Sequence, residues 1–125
     1  MKVEPINEYP KEYHKCCEVA KTELEKNLRL EIKNEIPDIS SYDIIYIVGP
    51  VWWSHYPLVL FTLLEKIDFT NKIIKPFVTH EGSGFGSTID DINSFCEKGI
   101  IKSGLAIRGS EVNSSTKLIE SWCKK

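Results

Sequence analysis

The chain has no basic cluster: it carries 16 Lys and Arg against 18 Asp and Glu, and no more than two Lys or Arg stand together. A net charge of −2 leaves no electrostatic footprint for nucleic acid. No apolar run approaches the roughly 18 residues of a membrane-spanning helix, and Met1–Pro10 has no signal-peptide core. The expectation is a cytoplasmic protein with neither nucleic acid nor membrane among its partners. Its 4 cysteines, Cys16, Cys17, Cys96 and Cys123, form no C-x-x-C pair. A cytoplasmic chain of this size needs no disulfides, and the spacing leaves no closely paired ligands for zinc. Cys17, Cys96 and Cys123 are expected on apolar faces, as small hydrophobes. No Gly-x-Ser-x-Gly elbow is present, so Ser54, His55, His80 and Ser83 make no recognisable hydrolase set.

What is present suits one domain over residues 1–125. Hydrophobic residues make up 42% and charged residues 27%, the composition of an ordinary globular protein. Residues 2–7 read as a fragment of strand. Pro10 suits the first position of a helix whose core stripe is Tyr13, Cys17, Ala20, Leu24 and Leu28. After a loop at 36–41, Ile44-Ile45-Tyr46-Ile47-Val48 is a continuous apolar run, which predicts a strand covered on both faces. Pro57 opens a helix through Leu58, Phe61 and Leu64, with Ile67 near its end. Residues 73–79 form a second apolar strand, although its Pro76 is ill suited to a sheet interior. Ser87 reads as the cap of a helix burying Ile89, Ile92, Phe95 and Cys96. Residues 104–109 form a third short strand. Asn113 or Ser114 caps a last helix with Leu118, Ile119, Trp122 and Cys123 inward. Strand–helix alternation predicts βαβ units and a parallel sheet.

Two loops leave the carboxyl ends of successive strands, where open α/β sheets bind ligands. The first presents Gly49-Pro50-Val51-Trp52-Trp53, and adjacent indoles there suit a flat aromatic ligand. The second, Thr79–Ser87, has Gly82, Gly84 and Gly86. Its backbone can approach a ligand closely, and it leads into a helix N-terminus. The glycine spacing is not the dinucleotide fingerprint. His80 is expected to be a hydrogen-bonding loop residue.

The series Tyr42-Asp43, Gly49-Pro50-Val51-Trp52-Trp53, Pro57, Phe61-x-x-x-Glu65, Lys72, Pro76-Phe77-x-Thr79-His80-x-Gly82-Ser83-Gly84-x-Gly86 resembles the flavodoxin-like family of small FMN proteins. The resemblance spans roughly residues 5–110. It implies an α/β three-layer sandwich with a mostly parallel sheet of order 2-1-3-4-5. It also implies an FMN whose ring lies between the two loops. Pro50, Val51, Trp52 and Trp53 would form one wall; Thr79, Glu81, Gly82, Ser83, Gly84 and Phe85 would form the other. Electron transfer or a small FMN-dependent reductase activity follows, with a redox protein or a small acceptor such as a quinone as partner.

The family's first strand, phosphate-wrapping loop and first helix have no counterpart, so the fold is expected to be truncated at its N-terminus. Three charge-assisted hydrogen bonds lost at about 1.5–3 kcal/mol each would weaken FMN binding about a thousandfold or more. The alternative is a domain without tight flavin binding, acting as a binding or assembly module or taking the phosphate loop from a separate chain. Strand 44–48 would keep an open apolar edge. Cover is expected from residues 2–7 or from a second chain, with a homodimer preferred.

Overall fold

In a computed structural model describing all residues Met1–Lys125, the element order is α1 (Tyr13–Lys26), β1 (Ile44–Pro50), α2 (Leu58–Leu64), β2 (Ile73–His80), α3 (Thr88–Phe95), β3 (Ile100–Ile101), β4 (Leu105–Arg108) and α4 (Thr116–Cys123). A 3-10 turn over Gly109–Ser114 joins β4 to α4. All strand pairs are parallel. β1 lies along β2, from Ile44 opposite Ile73 to Pro50 opposite Thr79. β3 and β4 share the other side of β2. This is the open, parallel α/β sheet that the strand–helix alternation implies.

Pro76 sits in the middle of the central strand without harm. The N–H groups of β2 on its parity face β3 and β4, since Lys102 donates to the Ile74 carbonyl. β3 ends opposite Ile74 and β4 begins opposite Phe77, so the missing N–H falls in the gap between them.

Ile47, Tyr56, Leu58, Phe61, Leu64, Ile74, Val78 and Ile92 pack on one sheet face beneath α2 and α3. Phe77, Ile107 and Trp122 form a smaller core under α4 on the other. Lys75, also buried there, turns its Nζ to the Cys123 carbonyl at 3.1 Å and compensates the negative end of α4.

Several sequence expectations fail for physical reasons. β1 is not covered on both faces: Ile44, Tyr46 and Val48 are 42%, 42% and 61% exposed. An eight-residue α4 is about 12 Å long and covers β2 and β4; it meets β1 at Tyr46, whose ring touches Trp122 and whose hydroxyl points to the Cys123 carbonyl. Residues 2–7 form no strand beside β1. They run antiparallel to residues 31–34 through a bridge between Pro5 and Ile32. α1 starts at Tyr13 rather than Pro10, because the Glu12 carboxylate accepts the N–H groups of His14 and Lys15. Tyr13 and Leu28, the two ends of the proposed stripe, are exposed, whereas Leu24 packs against the main core. α2 ends at Leu64, short of Ile67. α4 is preceded by Ser115, not Asn113 or Ser114, and Cys123 is exposed whereas Cys96 is buried.

The one buried residue of α1 is Glu23. Its Oε2 accepts from the Tyr9 hydroxyl at 3.0 Å, and its Oε1 has no partner. Burial raises the carboxyl above its ordinary value, against a smaller opposing effect of the Tyr9 hydrogen bond. The stability it contributes is therefore full below the unfolded carboxyl value, near 4.3, and is lost as pH rises through the higher folded value. Glu23→Gln, which cannot ionise, is expected to gain stability relative to the native chain between pH 4 and pH 7. Urea midpoints across that range check this, and parallel curves for the two proteins would refute it.

Candidate functional site

Beyond the end of β1 the chain turns back at once. Trp52 donates to the His55 carbonyl at 2.7 Å and His55 donates to that of Trp52 at 3.1 Å. The two-residue turn between them has φ of 51° at Trp53 and 76° at Ser54. Left-handed backbone at both central positions is the arrangement of a type I′ turn, unusual for residues other than Gly, Asn and Asp. Tertiary contacts hold it. Trp53 Nε1 donates to the Cys17 carbonyl at 3.0 Å, and Lys21 Nζ stands 5.4 Å from the Trp53 ring. Trp52 meets Tyr9 edge to face, with centroids 5.2 Å apart. Both indoles thus engage α1 and the segment before it.

Asp91 in the first turns of α3 secures the other end of the turn. One carboxylate oxygen pairs with His55 Nδ1 at 2.8 Å, and the other accepts the buried Tyr56 N–H at 3.1 Å. Burial raises the Asp91 carboxyl, while the His55 and Tyr56 contacts pull it down. His55 is therefore a structural tie. The Tyr56 ring is fully buried, and its hydroxyl donates toward the Ile47 and Phe77 carbonyls at 3.2 and 3.4 Å.

The second loop is stitched to the first. Val51 donates to the Thr79 carbonyl at 2.9 Å, and Ser87 N–H donates to Ser54 Oγ at 3.1 Å. Ser87 precedes α3 as expected, but its hydroxyl faces Ser54 Oγ instead of capping the helix. His80 is the loop hydrogen-bonder anticipated: its Nδ1 accepts the Gly82 N–H at 2.9 Å. Ser83 Oγ donates to the Gly84 carbonyl and has no base. Arg108, at the end of β4, holds the Glu81 carbonyl at 3.0 Å.

Between the Trp turn, the end of β2 and the first turns of α1 lies a cavity of about 690 Å³. Pro50, Val51, Trp52, Trp53, Thr79 and Glu81 line it. Gly82, Ser83, Gly84 and Phe85 do not; Phe85 packs against the main core, beneath Gly104. The lining also includes Tyr13, His14, Cys16, Cys17 and Ala20 from α1, together with His80. Nothing local in the sequence marks the α1 residues, because only the turn's contacts with α1 bring them in. Burial pushes the Cys16 thiol up, which keeps it protonated at neutral pH.

The sequence profile of the flavodoxin family matches residues 13–125. The chain belongs to that family. No curated protein matches it. Among solved structures, a protein from Bacteroides uniformis designated a flavoprotein superposes with a TM-score of 0.82 at 23% identity, over 98% of this chain and 79% of its own. A flavoprotein from Lactobacillus acidophilus, solved in complex with FMN, superposes with a TM-score of 0.69 at 23% identity, over 90% of this chain and 76% of its own. A similar protein from Bacteroides eggerthii gives 0.71 at 21% identity, over 94% and 78%. These likenesses establish the flavodoxin-like fold. No helix is long and apolar enough to cross a membrane.

Proposed function

We propose that this chain binds the ring of FMN in the 690 Å³ cavity and serves electron transfer, as a carrier or as a small flavin-dependent reductase. The observation that carries the reading is the cavity's aromatic wall at the carboxyl ends of two parallel strands. The FMN bound by the Lactobacillus acidophilus relative supports it. Pro50, Val51, Trp52 and Trp53 would wall the ring on one side, with Thr79 and Glu81 opposite. With Nδ1 occupied by Gly82, neutral His80 carries its proton on Nε2 and presents a donor. The flavin would supply the electron chemistry; the protein binds it, orients it and excludes water. Gly82, Ser83 and Gly84 would close over the ring only by moving from their present place. The acceptor, a redox protein or a small molecule such as a quinone, would meet the half-exposed Trp53 side of the cavity.

The ring fits this site better than the phosphate does. No Lys or Arg lines the cavity, and its one carboxylate, Glu81, repels a phosphate. Riboflavin and FMN are therefore expected to bind the chain alone within about threefold of each other, since no charge-assisted bond rewards the phosphate. Titration followed by quenching of Trp fluorescence tests this. Trp53→Ala should weaken both ligands about tenfold or more, the loss of one stacking contact. A strong preference for FMN over riboflavin would show a phosphate anchor and refute the assignment. Absence of quenching by either would favour the second reading, a binding or assembly module, which the open edge of β1 supports.

A further inference from the structure

Glu23 reaches inward from α1, behind the turn that carries Trp52. It is 4% exposed, and its Oε1 has no partner. The carboxyl borders a void of about 10 Å³, walled mostly by Tyr9, Leu24, Trp52, Tyr56, Pro57 and Leu58. That size is at the lower limit for one water, which would also need two or more polar partners. The hydroxyls nearby are committed: Tyr9 donates to Glu23 Oε2 at 3.0 Å, and Tyr56 donates to the Ile47 and Phe77 carbonyls. A neutral carboxyl suits such a place. A carboxylate would leave charge on an oxygen that no donor reaches.

No cation compensates it. Glu23 is faced by Tyr9 and Glu8 from the segment before α1, by Cys16 and Glu18 from α1, and by Tyr56 from the Trp turn. No Lys, Arg or His lines the void or the outer groove that Glu23 also borders. Of the cations near it in sequence, Lys21 pairs with Glu25, Arg29 pairs with Glu65, and Lys26 makes no ion pair. The Tyr9–Glu23 contact is also the one hydrogen bond that ties residues 7–11 to the rest of the chain. The Tyr9 ring in turn meets Trp52 edge to face, and Trp52 lines both the void and the flavin-sized cavity.

We propose that Glu23 is a proton-operated latch on the Trp52 wall of that cavity. Neutral, it holds Tyr9 against Trp52. Ionised, it draws water toward Oε1 through the weakly tied segment 7–11, so that Tyr9 shifts and Trp52 loses its edge-to-face contact. The Tyr9 hydrogen bond favours the carboxylate and opposes opening. Burial is the larger effect, and it raises the carboxyl above its ordinary value of about 4.3. The latch is therefore shut at low pH and opens as pH rises through the higher folded value. By linkage, a ligand packed on Trp52 favours the shut form and with it the bound proton. Only this last step rests on the flavin reading; the latch itself belongs to the free chain.

NMR of the free chain tests the latch. The Glu23 carboxyl carbon and the Trp52 indole protons should titrate with one shared midpoint above the ordinary carboxyl value. Glu23→Gln, which keeps an acceptor for Tyr9 and never ionises, should remove that step from the Trp52 signals. Riboflavin titrations of both proteins follow the consequence. The ratio of affinities, native over variant, should fall about fivefold or more across the midpoint. Titration of His14, His80 and Glu81 in the cavity lining is common to both proteins and cancels in that ratio. Trp52 signals that ignore the Glu23 midpoint, or that titrate unchanged in Glu23→Gln, would overturn the proposal. So would a flat ratio with riboflavin bound. Failure of both proteins to bind riboflavin would count against the flavin reading, and the free-chain signals would still decide the latch.

Discussion

Asp91→Ala is expected to lower stability by about 2–4 kcal/mol, because it strips the acceptor from a buried backbone donor and a partly buried imidazole at once. The Tyr56 N–H, in a residue with no exposed surface, would lose its 3.1 Å bond to Asp91, and no water could replace it without opening the core. His55 would lose its 2.8 Å partner, and with it the tie between the Trp turn and α3. Asp91→Asn keeps one acceptor and should cost less than half as much. Urea unfolding of both variants measures the difference. An Asp91→Ala loss below about 1 kcal/mol would show that the tie is dispensable. Flavin affinity should fall in step, since His55 closes the turn that carries Trp52 and Trp53.

Gly86→Ala should be nearly as damaging, by about 2–3 kcal/mol. Its φ of +54° already disfavours any side chain by roughly 1–2 kcal/mol. A Cβ there would also stand 2.7 Å from the Ser54 carbonyl oxygen and 2.8 Å from its Oγ. The two loops would have to part where Ser87 donates to Ser54. Gly84 is the control: its φ is +63°, but a Cβ would meet nothing within 4 Å, so Gly84→Ala should show the backbone cost alone. Denaturation midpoints and riboflavin titrations of the pair check this. Equal losses would mean that the loop contact contributes nothing.

Much of this was legible in local pattern. The apolar runs at 44–48 and 73–79, each followed by a turn and a helix, announced parallel strands, and their carboxyl-end loops do lie against one another. Pro50 through Trp53 stood out because two adjacent indoles after a strand are poor design for a plain core, yet both also hold the turn to α1 and the segment before it. The apolar run of β1, however, could not tell a strand buried on two faces from one left half bare. That depends on the length of α4 and on what lies beside the edge. The stripe on α1 misled because periodicity measures the apolarity of a face, not whether another element packs on it. Glu23 faces inward and Tyr13 outward.

The sequence by itself determined the fold class, the two long strands and the two loops that approach one another, since these follow from hydrophobic period and turn chemistry; the two-residue β3 is too short to leave such a mark. Only the tertiary structure decided that α1 supplies part of the cavity wall and that Asp91 anchors the Trp turn. It alone placed Gly82 to Phe85 outside the cavity lining and left the edge of β1 open. Each of these depends on contacts between residues far apart in the chain, and such contacts leave no periodic mark on the sequence.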